Sequence, residues 1–483
     1  MTAPASHDAI VLGGGVNGLV AAAYLAKARK RVLLLEEEEQ LGGRCVRIDL
    51  GEGFSVSAAG PALHALDPQL VSELKLSRHG LRFAGREMSL VGLRTGAKPL
   101  VLSRNVHDTA ASILPHSRAD AAAWPRFRKK LLELSRALRP LWWDAEAPPL
   151  EGHVREEIDR IKWMGVSAWL DTWFESESLK AALCFDATAG GLSIIEPASA
   201  IALLWHAAQE MSGLQGATML PMGGLPALVS ALAAAAQDAG AELRTGAPLE
   251  SIVLDEDRVA GVRLQSGETC FAPAVLSVLP LARMARDLLP PGALGLSGVN
   301  TGHRGASLAE AHVLMVLANA PSLGSAAPAS RFITTERFES YISAELAARD
   351  GEIGDELPIE FTVPTNVDPS IAPPGLHVLS ATVRPLPRHP AQGWAAMSTV
   401  LGARVVAAID KFVPNLSRDL TRMKVLTPDD TDAVTNLVRL TSNYDSRVRT
   451  PIQGLFLCGD DAEPNSAISG RAGRIAAQMG IRA

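Results

Sequence analysis

Short apolar runs alternate with helical periodicities along the chain, and this pattern is clearest near the start. Ala9–Leu12 is an apolar run with β-branched members, and Val32–Leu35 is a second one. Between them, residues 16–27 place apolar side chains at helical spacing, after a cluster of glycines. The pattern predicts a strand, a glycine turn, a helix and a second, buried strand, which is the order of a βαβ unit.

Further along, helical stretches alternate with short strands. Asp67 and Pro68 are typical of an N-cap and a first helical turn. A helix is expected over Asp120–Trp143. Other helices are expected over 155–185, 198–212, 225–236 and 392–413, and strands over Glu242–Thr245, Ser251–Leu254, Val259–Leu264, Thr269–Phe271, Ala274–Leu279, Val313–Ala318, Arg331–Thr334, Ile359–Val363, His377–Val383 and Gly454–Cys458.

Composition limits the functional classes. At 483 residues, 47% of them hydrophobic, the chain can form about two to three domains with a large core. Its net charge of −6 and pI of about 6.0 argue against a nucleic-acid partner. The four cysteines lie far apart in the sequence, so no metal site is predicted and a reducing compartment is favoured. The sequence has no secretory-signal pattern and no apolar run near the ~20 residues of a membrane span, so we expect a cytoplasmic protein.

The glycine turn carries the first chemical signal. Gly13, Gly15 and Gly18 form a G-x-G-x-x-G motif. In such motifs the first glycine allows the tight turn, the second lets the backbone approach a pyrophosphate, and the third lets the helix pack close to the strand. The N–H groups of Val16 and Asn17, at the start of the helix, would face the phosphates. The motif and its flanking elements predict a dinucleotide site.

Two features after the second strand narrow the choice of dinucleotide. Glu36 ends that strand, where a carboxylate accepts hydrogen bonds from the adenosine ribose. Gly42, Gly43 and Arg44 follow. The paired glycines let the backbone pass close to a cofactor, and the arginine offers several donors to its oxygens.

The spacing E-x5-G-G-R resembles the FAD superfamily named for glutathione reductase, in its amine oxidase and phytoene desaturase branch. Residues 54–81 and 223–268 are similar to the same branch over long stretches in the same order. The resemblance is strongest to the group of pyridine nucleotide-disulphide oxidoreductase domain-containing protein 2. NAD-binding Rossmann domains have no equivalent of the G-G-R extension.

The resemblance implies non-covalently bound FAD. In that family the backbone near Leu249 reaches the adenine. A G-D pair and the following helix N-terminus lie against the ribityl chain, the pyrophosphate and the flavin ring. On this chain the implied contacts are Gly459, Asp460, Asp461, Ile468 and Ser469, with Asp460 preferred to Asp461.

These features together predict an α/β protein with two domains. A Rossmann-like FAD-binding domain is assembled from the discontinuous segments 1–75, 222–290 and 440–483. An α+β substrate-binding domain is formed by residues 76–221 and 291–439.

The helix Asp120–Trp143 has a basic side and ends in Trp142 and Trp143. Such a helix can dock on an anionic membrane, which would make the protein a peripheral membrane binder. The favoured interpretation is a helix of the substrate domain whose basic side faces water.

The region 155–212 is rich in Trp and Phe, which favours an apolar small-molecule substrate. His64 lies where members of the resembled family pass the flavin ring, and it is the candidate catalytic side chain. A lone histidine is nevertheless more often a hydrogen-bonded structural residue.

By resemblance, the expected reaction is hydride transfer to flavin N5 during desaturation, or saturation or isomerisation, of C–C bonds in a polyene or lipid-like substrate. With no second G-x-G-x-x-G motif, electrons would leave to an external acceptor, oxygen or a quinone. The chain has Pro464–Ala467 where carotenoid desaturases have a P-G-G-G-type run, which counts against a carotenoid. The alternatives are a flavin amine oxidase, for which three tyrosines offer little material for an aromatic cage, a redox-neutral FAD-dependent isomerase, and a non-catalytic relative of the same fold.

Overall fold

A parallel sheet of five strands carries the N-terminal motif. Its strands, in spatial order, are Leu455–Leu457, Val275–Ser277, Ala9–Leu12, Val32–Leu35 and Glu242–Arg244. Ile10 is aligned with Val275 on one side and with Leu33 on the other. Both faces of these central strands are buried, as their nearly continuous apolar sequences require. The chain therefore returns to this sheet from segments that are hundreds of residues apart.

The computed structural model describes residues 7–85, 87–144, 147–294, 308–324, 326–431, 447–463 and 467–482.

Three helices cover the parallel sheet: Val16–Lys27, Leu225–Asp238 and Arg471–Arg482. The first and last of them touch closely because both carry small residues at the contact. A Cβ on Gly473 would lie 2.1 Å from the backbone oxygen of Asn17. The C-terminal helix can therefore pack directly on the helix that follows the glycine turn.

A second sheet of seven strands is mostly antiparallel. Its spatial order is Leu420–Leu426, Leu308–Leu317, His377–Pro387, Ile359–Thr362, Ser330–Ile333, Ser89–Gly92 and Leu100–Leu102, of which Ser330–Ile333 and Ser89–Gly92 run parallel. One face of this sheet packs against the helix Trp394–Asp410 through residues such as Val313 and Ala381. Because side chains alternate along a strand, Glu310, His312 and Thr382 emerge on the opposite face.

Helices form a further layer beside the second sheet. They are Val106–Ile113, Arg118–Trp143, Gly152–Ile161, Val166–Asp171, Glu177–Ala187, Ser199–Ala208 and Glu339–Arg349. Their shared core is aromatic and includes Phe127, Trp169 and Trp205, none more than 1% exposed. The other described elements are the helices Pro68–Glu73, Leu281–Arg283, Leu416–Asp419 and Pro428–Thr431, the strands Phe83–Gly85, Glu210–Met211, Leu214–Gln215 and Leu220–Pro221, and the small sheet Leu249–Asp255, Arg258–Leu264 and Thr269–Phe271.

The predicted elements are present with shifted ends. Helix 16–27 and strands 32–35 and 269–271 match their predicted bounds. The predicted stretch 155–185 is three separate helices, because Gly165 and Ser176 begin new ones. The fold class is confirmed: a Rossmann-like parallel sheet from discontinuous segments lies beside an α+β part. The start of the predicted segment 440–483 lies outside the described residues.

Asp67 links two parts of this fold. Its carboxylate accepts the Gln69 N–H at 2.9 Å, as an N-cap, and lies 3.0 Å from Arg474 Nε in the C-terminal helix. Arg471 Nε is 3.8 Å away, and the Asp67 side chain is fully buried. Removing a buried carboxylate leaves its cationic partners without compensation.

We expect Asp67→Ala to lower the free energy of unfolding by about 3–5 kcal/mol, because both an N-cap and a buried ion pair are lost. Asn105 is the matched control, an exposed N-cap that accepts the His107 N–H at 2.9 Å. Asn105→Ala should lower it by only about 1 kcal/mol. Urea denaturation measures both, and equal losses would show that the ion pair contributes nothing.

Candidate functional site

The glycine turn is shaped by contacts that exclude side chains. Gly13 has φ +94°, which glycine adopts without strain. A Cβ on Gly18 would lie 2.0 Å from the Gly13 oxygen, so the first helix can approach the strand end only with glycine there. Both glycines were predicted for these roles, and the geometry accounts for each of them.

The first helix offers unsatisfied donors at this turn. It begins at Val16, and its N-cap Gly15 provides no side-chain cap. The first N–H groups of an α-helix have no intrahelical acceptor, so those of Val16 and Asn17 are available to an anion. The Asn17 side chain is used differently, because its Oδ1 accepts the Gly473 N–H at 3.3 Å.

Glu36 lies at the end of the second strand, buried beside the turn. Its carboxylate accepts the N–H of Gly14 at 2.6 Å and of Glu38 at 3.0 Å. A carboxylate has about four acceptor positions, which leaves capacity for ribose hydroxyls. The Glu36 carbonyl accepts the Ala247 N–H at 2.9 Å, so the chain that leads into Leu249 passes alongside. The contact of Leu249 with adenine, which the family resemblance implies, stays a prediction.

The G-G-R segment closes the turn from the other side. Gly42 forms a parallel bridge with Gly15. Arg44 Nη2 lies 3.3 Å from Asp460 Oδ1, which joins two predicted cofactor residues that are 416 positions apart. We call the turn, Glu36 and this segment the glycine cradle.

The C-terminal residues divide into two groups. Asp461 accepts the Leu281 N–H at 2.6 Å and so fixes the chain after a neighbouring strand, whereas Asp460 contacts Arg44. Ser469 donates to Glu463 at 2.6 Å and accepts the Arg471 N–H, which is a capping role. The preference for Asp460 over Asp461 as a cofactor contact stays a prediction.

Gly459 and Ile468 complete the predicted set. A Cβ on Gly459 would lie 2.0 Å from the Val278 oxygen, so this residue lets the last strand end pack against its neighbour. Ile468 lines the cavity described below. Residues 464–466, which hold most of the departure from the carotenoid desaturase pattern, lie outside the described part of the chain.

The cradle residues fit FAD. The helix N-terminus supplies donors for a pyrophosphate, Glu36 supplies acceptors for a ribose, and Arg44 supplies donors near Asp460. When bound, FAD supplies an acceptor for a hydride.

A chamber opens next to the cradle and encloses about 920 Å³ of empty space. Arg44, the segment Ala59–His64, Ala467 and Ile468 form the side of the chamber nearest the cradle. Most of the rest of its wall is charged or polar, although Phe185 and Ala189 also line it. The charged or polar residues include Asp186, Glu310, Glu360, Arg331, Arg384, His206, His312 and Thr382.

Arg331 organises one group of chamber charges. It donates to the carboxylates of both Asp186 and Glu360. Burial alone would raise the pKa of Asp186, but the charge of Arg331 lowers it well below its usual range. The same two carboxylates hold the pKa of Arg331 above its usual value. Both sides of this cluster are therefore charged at neutral pH.

Arg384 organises a second group. It donates to Glu310 Oε2 at 2.7 Å and to the Phe185 carbonyl at 2.8 Å, and it lies over the Phe185 ring at 4.0 Å. Glu310 also accepts the Gly190 N–H at 3.0 Å. Burial opposes ionisation of Glu310, yet the charge of Arg384 lowers its pKa well below the usual range. The chamber carboxylates are thus paired, and their charges are largely neutralised.

Two histidines stack in the chamber. The rings of His64 and His206 are 4.7 Å apart and nearly parallel. Burial lowers the pKa of His206 to about 4, although Asp186, 3.3 Å away, opposes the shift. Burial and His206 lower the pKa of His64 well below its usual range. Both imidazoles are neutral at pH 7.

His64 was the candidate catalytic residue, and the structure places it in the chamber wall. Its chamber neighbours escaped the sequence analysis because they are scattered over separate elements. One signal was available: Glu310 and His312 stand two apart in an otherwise apolar strand, as do Thr382 and Arg384. Side chains two apart share a face, so polar pairs in a buried strand mark a lined cavity.

The aromatic residues of 155–212 lie mostly in the helical core rather than in the chamber. Phe185 belongs to that core and also lines the chamber, whereas Trp163 is exposed. Trp142 is fully buried, and Trp143 lies between the guanidinium groups of Arg139 and Arg471, at 4.4 and 4.2 Å. The rings of Trp142 and Trp143 are therefore not available as a membrane anchor. Peripheral membrane contact itself stays a prediction. Within the described residues, no helix is long and apolar enough to cross a membrane.

Comparison with known proteins agrees with the cradle. Residues 17–305 match the family model for flavin containing amine oxidoreductases. The pyridine nucleotide-disulfide oxidoreductase domain-containing protein 2 of Rattus norvegicus is 30% identical, over 99% of this chain and 93% of that protein.

Two further proteins are similar to this chain, one in sequence and one in fold. The zeta-carotene-forming phytoene desaturase of Myxococcus xanthus is 26% identical, over 95% of this chain and 90% of that protein. The structure of cyclohexylamine oxidase from Brevibacterium oxydans superposes with a TM-score of 0.55 at 16% identity, covering 99% of both chains, which shows a shared fold.

We expect Glu36→Ala to weaken FAD binding by roughly 10- to 100-fold, because hydrogen bonds to a charged acceptor are lost. Fluorescence titration of the apoprotein with FAD measures this. The neighbouring exposed Glu38→Ala serves as the control and keeps the backbone N–H that Glu36 accepts. Equal affinity of the Glu36 variant and the wild type would remove Glu36 from the site.

The neutral histidine predicts a pH dependence of stability. The unfolded chain protonates His206 near pH 6.5, whereas the folded chain does so only near pH 4. Stability should therefore fall as pH drops through this window, by about 1.4 kcal/mol per pH unit for one group. Denaturation at pH 6.5, 5.5 and 4.5 should show a shallower fall for His206→Gln than for the exposed control His153→Gln. Identical slopes would contradict burial of a neutral imidazole.

Proposed function

We propose that this chain, which belongs to the family of flavin containing amine oxidoreductases, desaturates a C–C bond of a lipid-like substrate. The chain is an FAD-dependent oxidoreductase of the amine oxidase and carotenoid desaturase type. The reaction and the substrate are our proposal. Saturation and isomerisation of the same class of bond are its nearest variants.

The observation that carries the proposal is the stacked pair of neutral imidazoles beside the cradle. Desaturation removes a hydride from one carbon and a proton from the next, so the protein must accept a proton. His64 lines the chamber and is unprotonated at neutral pH. We assign it as the proton acceptor, while Asp186, against His206, stabilises the positive charge that the pair then carries.

The chamber wall offers little to an amine. Amine recognition would use an unpaired carboxylate or an aromatic cage, but each acid named above faces an arginine. Phe185 is already covered by Arg384. Tyr24 lies in the first helix, Tyr341 donates to the Ala181 carbonyl in the core, and Tyr444 lies outside the described residues. Amine oxidation therefore remains the alternative.

The chamber also bears on what kind of lipid-like molecule enters. Its paired charges favour a substrate with a polar group over a pure hydrocarbon. A smaller apolar cavity of about 400 Å³ adjoins it at Gly60 and Pro61, with Val56, Leu314 and Ile371 in its wall. Electrons would leave the reduced enzyme to an external acceptor, oxygen or a quinone.

Anaerobic reduction of the bound flavin tests the proposal. Long-chain fatty acids, fatty alcohols and a C40 polyene in detergent should include a compound that bleaches the absorbance near 450 nm. Putrescine and n-alkylamines should not. Bleaching by amines alone would overturn the assignment, and product formation without an electron acceptor would indicate the isomerase instead.

We expect His64→Gln to slow this bleaching about 10²-fold or more, because the positioned proton acceptor is lost. FAD content should stay unchanged, since His64 is not a cradle residue. His153→Gln, at an exposed position, is the control. An unchanged rate would remove His64 from the reaction.

A further inference from the structure

A second large cavity adjoins the chamber on the side of the helix Arg118–Trp143. It encloses about 700 Å³, and we call it the side cavity. Asp186, His206, Thr218 and Arg331 line both it and the chamber, so the two spaces share a wall. A ligand held in the side cavity could therefore extend past these residues towards the cradle.

Besides Asp186 and Arg331, which it shares with the chamber, the side cavity has apolar walls and two further arginines. Leu90, Leu102 and Leu203 are among its apolar residues, while Arg104 and Arg128 provide the cations. Arg104 is partly neutralised, because its Nε lies 2.8 Å from Glu87 and its Nη1 donates to the Gln215 carbonyl at 2.6 Å.

Arg128 differs from Arg136 and Arg139 of the same helix, which both have partners. Arg136 donates to Gln215 at 2.8 Å, and Arg139 pairs with Glu210 at 3.0 Å. Arg128 forms no hydrogen bond or ion pair with any residue that the structure describes. It is not in open solvent either, because burial, and then the charge of Arg104, lower the pKa of Arg128 to about 10. It stays charged at neutral pH without a counterion.

A second donor in the same wall lacks an acceptor. The indole N–H of Trp124 is buried and makes no hydrogen bond within the described part of the chain. The indole N–H groups of Trp143, Trp169 and Trp205 are likewise buried without a partner in the described part of the chain, so the inference rests on the charged Arg128 side chain in the cavity wall.

We propose that the side cavity binds the carboxylate or phosphate group of an anionic amphiphile, with Arg128 as its principal ligand and Arg104 as a second cation. The apolar walls take the adjoining hydrocarbon. This inference rests on the proposed function to the extent that the anchored molecule is the substrate, and Arg128 then fixes which carbon atoms reach the cradle. The assignment corrects the expectation that the whole basic side of this helix faces water.

Equilibrium binding tests the site without turnover. Isothermal titration of the FAD-loaded enzyme would use dodecanoate, dodecyl phosphate, dodecanol and inorganic phosphate. We expect the two anionic amphiphiles to bind to the wild type and dodecanol to bind at least about 30-fold more weakly. In Arg128→Gln, the Kd of dodecanoate should rise at least about 30-fold, because a charge-assisted contact is lost. Arg128→Lys should recover part of the affinity, since the charge remains but the planar fork does not.

Arg126→Gln, on the exposed side of the same helix, is the matched control and should leave binding unchanged. Thermal melting and FAD content show whether each variant is folded. Unchanged dodecanoate affinity in Arg128→Gln, or equal affinity for dodecanol in the wild type, would overturn the proposal. Arg128-dependent binding of inorganic phosphate as tight as that of dodecyl phosphate would support the anion site but assign it to a free anion.

These outcomes are separate from those of the proposed function. If the anionic amphiphiles bind through Arg128 but none bleaches the flavin, the anion site stands and the desaturation proposal fails. If a neutral lipid bleaches the flavin and Arg128→Gln has no effect on binding, the desaturation proposal stands and the anion site fails.

Discussion

The structure depends on backbone contacts so close that they exclude a Cβ atom. Gly18 packs on the Gly13 carbonyl, Gly459 on Val278 and Gly473 on Asn17. Together these contacts bring the glycine turn, the last strand of the parallel sheet and the C-terminal helix to the cofactor site. Because this packing brings the helix N-terminus and the Asp460 region together, the cofactor site forms only when the chain has closed from both ends.

The cradle and the chamber differ in how their charged groups are paired. The cradle presents donors and a carboxylate that still has free acceptor capacity, as a cofactor with phosphates and hydroxyls requires. The chamber instead pairs its own charges, with Arg331 between two carboxylates and Arg384 against Glu310. Buried ion pairs of this kind contribute little net stability but fix the shape of a polar wall. The neutral histidines lie within that wall and remain available to exchange protons.

The similarity to known proteins and the geometry of the site have to be considered together when the reaction is inferred. The relatives include a phytoene desaturase by name, and the superposed structures include an amine oxidase. A shared fold does not decide between these chemistries, because function depends on the residues that line the site. In this chain, paired carboxylates and the covered ring of Phe185 disfavour amine recognition, whereas an unpaired Arg128 in an apolar cavity favours an anionic amphiphile.

The sequence by itself determined the dinucleotide-binding unit at the start of the chain, because this depends on local spacing: G-x-G-x-x-G after an apolar strand, Glu36 at the next strand end, and G-G-R beyond it. The resemblance of these motifs to an FAD superfamily supplied the cofactor. Only the tertiary structure decided the chamber. Its charges come from Asp186 on a helix and from Arg331 and Arg384 on separate strands, and no sequence period joins residues that far apart. Tertiary packing also separated Asp460 from Asp461 and turned Arg128 inward, since the partner of each side chain depends on which distant segment packs beside it.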